Sequence, residues 1–165
     1  MLGYKKFICN ECDAVIYLKS VAYQKAINKA KQSKNKETGG ILIGRYSSSL
    51  KIVYVNELSN PPVDSKAGFC WFNRGVKGLG EYLKKKWTQN DEYYLGEWHF
   101  HPANVPKPSM TDVAQLKRIS RDKRFICKEP ILIIVSKNSN EYDINISLLL
   151  GSDIYEFIQS KIKEN

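Results

Sequence analysis

The sequence has no long hydrophobic run. Its longest aliphatic stretch, residues 131–135, is five residues, against the roughly 20 needed to cross a bilayer as a helix, so no membrane span is expected. No secretory signal is expected either, because Lys5 and Lys6 are followed only by Phe7-Ile8-Cys9 before Asn10 and Glu11 interrupt the run. Cysteine is scarce: Cys9, Cys12, Cys70 and Cys127 do not make a disulfide-dense scaffold. Without a leader, that pattern implies a reduced, cytoplasmic protein. Repeats, low-complexity tracts and linker-like segments are missing too, which argues against a modular array.

Acidic residues are outnumbered, 17 against 26 Lys and Arg, and the net charge of +9 favours anionic partners. The Lys-rich stretches 29–36, 84–86 and 117–128 each fall on the polar side or end of an expected helix. Solvated helix faces account for such runs, so nucleic-acid binding is not favoured. The length of 165 residues suits a single domain over 1–165, long enough to bury roughly two-thirds of the unfolded chain's surface. With 42% hydrophobic and 26% charged residues the chain reads as globular, not disordered.

Strands are expected at 14–18, 41–43, 52–58, 93–99, 131–135 and 144–150, with a turn at 47–49 joining two of them as a hairpin. Ser20 reads as the N-cap of a helix with Tyr23, Ile27 and Ala30 on one face, ended by Gly39-Gly40. Val76, Leu79, Leu83 and Trp87 mark a helix over about 75–87, and Val113, Leu116 and Ile119 one that starts near 109–112. Ile154, Ile158 and Ile162 mark a C-terminal helix. The order predicts an α/β domain, a mixed β-sheet flanked by helices. The loop 59–73, with Pro61, Pro62, Phe69, Trp71 and Phe72, is long enough to be a functional loop.

The chain has two histidines, His99 and His101. Residues two apart on a strand face one side, so both imidazoles can meet one metal. After the Pro-rich stretch 102–108, Ser109 and Asp112 open a helix. Asp112 is the natural third ligand: two imidazoles and a carboxylate leave zinc one open position, as in catalytic sites. Ser109 can supply a hydroxyl donor for an oxyanion. Two bland readings stand beside these. A histidine pair can be ordinary strand residues, and Ser-x-x-Asp also fits a capping box without chemistry. What singles the region out is the combination His-x-His-x₇-Ser-x₂-Asp within fourteen residues. The metallo-β-lactamase and cupin patterns require an acid or histidine where this chain has neither, and the facial-triad iron motif requires an acid two residues after the first histidine, where this chain has His101.

The stretch Glu97-Trp98-His99-Phe100-His101-Pro102, followed by Pro108-Ser109-Met110-Thr111-Asp112, resembles the JAMM motif of the JAB/MPN metalloprotease family. Glu37-Thr38-Gly39-Gly40-Ile41-Leu42-Ile43-Gly44 resembles the family's upstream glutamate segment. Phe100 departs from the Ser or Thr the family often has there; on a strand it points away from the histidines, so packing is affected and not chemistry. The resemblance implies one zinc ion on His99, His101 and Asp112, with Glu37 as the general base that activates water and Ser109 stabilising the tetrahedral intermediate. Glu97 shares the histidines' face and competes as a ligand or as a group behind one, ranked below Glu37. The implied substrate is an isopeptide or peptide bond after the C-terminal tail of a ubiquitin-like or conjugated protein. Such a tail can pair along an exposed strand edge, and the aromatics of 59–73 can grip it or cover the core. A small chain with Glu-Trp-His-x-His-Pro also looks like bacterial standalone JAB proteases, some of which deconjugate proteins in CBASS antiphage systems. A non-catalytic MPN scaffold, a RadC-like nucleic-acid role and a small-peptide or sulfur-carrier hydrolase remain as alternatives. Cys9-x-x-Cys12 reads as free thiols at an N-terminal turn in preference to a second metal or redox pair.

Overall fold

The computed structural model describes residues 3–103, 106–139 and 141–161. Asn104 and Val105 of the Pro-rich loop, and Ile162 of the expected C-terminal helix, lie outside the described residues. In chain order the elements are β1 (Tyr4–Ile8), β2 (Val15–Lys19), α1 (Ser20–Gln32), β3 (Thr38–Tyr46), β4 (Ile52–Leu58), β5 (Lys66–Ala67), β6 (Phe72–Asn73), α2 (Leu79–Asn90), β7 (Tyr93–His101), α3 (Met110–Arg121), β8 (Ile131–Asn138), β9 (Glu141–Leu150) and β10 (Asp153–Gln159).

Eight strands close into a barrel in the order β1-β10-β9-β8-β7-β3-β4-β2, with β2 pairing back onto β1. The pairs β2–β4 and β7–β8 are parallel and the others antiparallel. The expected α/β sheet flanked by helices is therefore corrected to a closed barrel that carries, among the described residues, three helices. The difference lies in β1 and β10, whose mutual pairing completes the ring. In β1 only Phe7 is fully buried, so Lys5 and Lys6 hide the strand. In β10, Ile154 and Ile158 are four apart and imitate a helix. The strand signal is carried by Tyr155 and Phe157, two apart and turned to the core, with Gly151 at φ 62° making the tight turn from β9.

α1 packs its small side chains Ala22, Ala26 and Ala30 into the main core, among Phe7, Leu18, Val55, Trp98, Phe100 and Ile133. Their spacing of four puts them on one stripe, and their size lets the helix approach closely. Ser20 is not the N-cap: Lys19 occupies that position without a side-chain cap, and Tyr23 only flanks the buried stripe. On the outer face, α2 and α3 cover the central strands through Tyr94, Ile43 and Ile119, and through Leu116, Leu132 and Ile134. β3, β7 and β8 are thus largely buried on both faces, which is why 41–43 and 131–135 read as continuous apolar runs, while β7 buries Glu97 and His99 among its apolar residues. Of the expected helix face, Leu79 and Leu83 pack against the core, whereas Trp87 stays exposed and Val76 is exposed and precedes α2.

The β3–β7 register shifts between Leu42 and Ile43, opposite Gly96. Gly96 sits at φ 145°, and a Cβ there would collide with the Ile131 backbone. This bulge sets the phase of the end of β7. Leu95, Trp98 and Phe100 face the inner core, while Tyr94, Glu97, His99 and His101 face α3 and its surroundings. Among the described residues, no helix is long and apolar enough to cross a membrane. Cys9 and Cys12 are unbridged in the β1–β2 connection.

Candidate metal centre

The C-terminal end of β7 presents His99 and His101, and the first turn of α3 presents Asp112 against them. One ligand atom from each of these three residues lies within 4.8 Å of the others. His99 Nδ1 is 2.9 Å from Asp112 Oδ1, and His101 Nε2 is 3.5 Å from Asp112 Oδ2. His99 and Asp112 are buried and His101 is half-buried, so the site opens on the His101 side.

Local sequence dictates this placement. Ser109 caps α3 through a full capping box: its Oγ accepts from the Asp112 backbone N–H at 3.2 Å, and its own N–H donates to Asp112 Oδ2 at 2.7 Å. The Ser109 hydroxyl also donates to Oδ2, at 2.6 Å. The bland capping reading and the ligand reading therefore share the same atoms, because the cap holds the carboxylate still. Burial works against charge on Asp112, but bonds from His99 and Ser109 prevail and hold its pKa near 2. Burial likewise opposes charge on His99, yet the hydrogen bonds to Asp112 and Glu97 prevail and lift it to about 9.

Glu37 precedes β3, in which Thr38 pairs with Phe100 and Gly39 with His99. Its N–H donates to the Gly68 carbonyl at 2.8 Å. Burial raises its carboxyl pKa, the Asp112 charge adds to this and His99 opposes it, which places Glu37 within electrostatic reach of both. Gly39 leaves the room that this crowding needs: a Cβ there would collide with the Trp98 backbone carbonyl and lie 2.9 Å from ring carbons of both His99 and Phe72. All five sequence-designated residues, Glu37, His99, His101, Ser109 and Asp112, thus gather at one end of the barrel.

Phe72 meets the His99 ring edge-on, centroids 5.7 Å apart, whereas Phe69 and Trp71 are exposed at the tip of the β5–β6 hairpin. Loop 59–73 is thus partly structured and reaches the histidines through one aromatic. Glu97 is not available as an open ligand. Its buried carboxylate is paired with Arg74, and it also bonds Gln115 and His99. Sequence reasoning passed over Arg74 and Gln115. Gln115 had a signal, since it lies one turn after Asp112 on the same helix face. Arg74 had none, being 23 residues from its partner. A groove of about 1070 Å³ between Leu83, Trp87, Tyr93 and Phe125 lies at the other end of β7 and takes no part in this cluster.

A barrel that brings two imidazoles and a fixed carboxylate together at a half-open rim defines a protein with a candidate metal centre. The donor set suits zinc, and three protein donors leave one position for water or substrate. Residues 19–148 match the family profile of the prokaryotic homologs of the JAB domain, and the chain belongs to that family. Its relatives include a CD-NTase/cGAS isopeptidase from Enterobacter hormaechei, 35% identical over 134 residues that make up 81% of this chain and 74% of that one. Another, from Pseudomonas aeruginosa, is 31% identical over 70% of each chain. The solution structure of a Desulfitobacterium hafniense protein shares the fold, with a TM-score of 0.60 at 21% identity over 86% of this chain and 88% of that one.

Proposed function

We propose that the protein is a zinc-dependent isopeptidase, acting as a single JAB domain, that removes a conjugated protein from its target by cutting after that protein's C-terminal tail. The gathering of His99, His101 and Asp112 within 4.8 Å beside Glu37 carries this reading. The names of the relatives support a conjugate of the CD-NTase/cGAS kind, and with it a part in antiphage defence.

His99, His101 and Asp112 would hold one zinc ion, which supplies a Lewis acid that acidifies water and polarises the scissile carbonyl. Glu37 takes the proton of the attacking water and delivers it to the leaving amine; a carboxyl whose pKa is raised by burial suits both halves of that transfer. Ser109 offers its hydroxyl to the developing oxyanion by exchanging its bond to Asp112, while its backbone N–H keeps Oδ2 anchored. The substrate tail meets no open edge on β7, which is paired with β3 on one side and β8 on the other. The β5–β6 hairpin, with Phe69 and Trp71 exposed and Phe72 on His99, is the place for it to lie.

The test is a CD-NTase bearing a reporter through an amide at its C-terminus, incubated with the purified protein. Cleavage that stops on chelation and returns with zinc is expected. Cleavage indifferent to chelation, or none in zinc-loaded protein, contradicts the reading.

A further inference from the structure

Glu97 is the most completely engaged polar side chain near the histidines. Oε1 receives two guanidinium nitrogens of Arg74, at 3.0 and 2.9 Å, and lies 3.4 Å from the Tyr94 hydroxyl. Oε2 accepts from Gln115 Nε2 at 2.7 Å and faces His99 Nε2 at 3.3 Å. The side chains of the ion pair are only 8% and 2% exposed. Desolvating two charges is costly, so a buried pair of this kind adds little stability of its own. What it does add is geometry. His99 turns one ring nitrogen to Asp112 and the other to Glu97. An imidazole that ligates a metal through one nitrogen keeps its orientation and tautomer through the bond made by the other.

The three groups that fix Glu97 come from different elements. Arg74 directly follows β6, and its third nitrogen holds the Gly75 carbonyl at 2.9 Å. The segment is closed on itself, because Ser65 Oγ accepts from Gly75 N–H and the Asp64 carboxylate from the N–H groups of Val76 and Lys77. Gln115 lies on α3, one turn beyond Asp112. Tyr94 lies on β7 on the far side of the Gly96 bulge.

We propose that Glu97 is a positioning residue for His99, and that Arg74 and Gln115 position Glu97, so that one metal ligand is tied to the loop beside the site and to the helix carrying Asp112. This rests on the reading of His99 as a ligand. Arg74 suits the task better than a lysine would, because its planar guanidinium holds Glu97 and its own loop at once.

The experiment measures zinc affinity by chelator competition, together with thermal melting and kcat and KM on the tail-linked reporter. The variants are Glu97→Gln, the charge-neutral double Arg74→Gln/Glu97→Gln, Gln115→Leu and Arg74→Lys. In folded Glu97→Gln and in the double variant, zinc affinity is expected to fall about 10–100-fold, with kcat falling more than KM. Gln115→Leu, which leaves the ion pair intact, is expected to show a smaller loss of the same kind, and Arg74→Lys to retain part of the affinity. Should removal of Arg74 or Glu97 prevent folding, Gln115→Leu decides. Variants that fold and keep zinc affinity and kcat within about twofold of the parent overturn the proposal. A parent that binds no zinc overturns the ligand reading, and this proposal with it.

Discussion

Ser109 and Asp112 grip each other through three hydrogen bonds: hydroxyl to Oδ2 at 2.6 Å, Ser109 N–H to Oδ2 at 2.7 Å, and Asp112 N–H to Oγ at 3.2 Å. The same atoms start α3 and immobilise a carboxylate that faces two imidazoles. Stability and the proposed chemistry therefore meet at this turn, and Ser109→Ala tests both at once. It is expected to cost about 1 kcal/mol of stability, read from the urea midpoint, and to lower both zinc retention and the hydrolysis rate. A stability loss with unchanged hydrolysis would confine Ser109 to capping.

Glu37 contributes no atom to the three-residue cluster, so Glu37→Gln is expected to leave folding and zinc stoichiometry intact while abolishing cleavage. Metal analysis and a rate assay on one preparation check this. An active, zinc-loaded Glu37→Gln protein would remove Glu37 from the mechanism.

Gly39→Ala drives a methyl group into the Trp98 backbone carbonyl, with the His99 and Phe72 rings beside it. Turning a ring does not relieve that clash and β3 must shift against β7, so lower stability and weaker zinc binding are expected, seen in melting and chelator competition. Unaltered affinity would mean that the ligands tolerate the crowding.

In the metal-free protein His99 holds its proton up to about pH 9, against an ordinary 6.5, because two carboxylates flank it. A raised folded-state pKa stabilises fully below the unfolded value and is lost as pH climbs through the folded one. Metal-free protein is thus expected to lose stability between pH 6.5 and 9. The low pKa of Asp112, near 2, contributes nothing in that window. Urea midpoints across the range, compared with those of His99→Asn, check this; equal slopes in the two proteins would assign the loss to other groups.

Much of the centre was legible in the sequence because its spacing is short. His99 and His101 share a strand face whatever the strand's neighbours are, and Ser109 fixes Asp112 through local bonds only. Glu37 was visible only through family resemblance, since in isolation it is one acid after a Lys-rich helix. Arg74 was not visible, because tertiary folding alone brings it to Glu97. Barrel closure was hidden for a similar reason. It depends on β1 pairing with β10, elements near opposite ends of the chain, and on the alternation of Tyr155 and Phe157 outweighing the helical spacing of Ile154 and Ile158.

The most direct measurement is zinc content after metal-free protein is dialysed against zinc at neutral pH, for the parent chain and for His99→Ala. One zinc per parent chain and a near-complete loss in His99→Ala are expected. A parent chain without zinc, or a His99→Ala protein with undiminished zinc, would contradict the centre built on His99, His101 and Asp112.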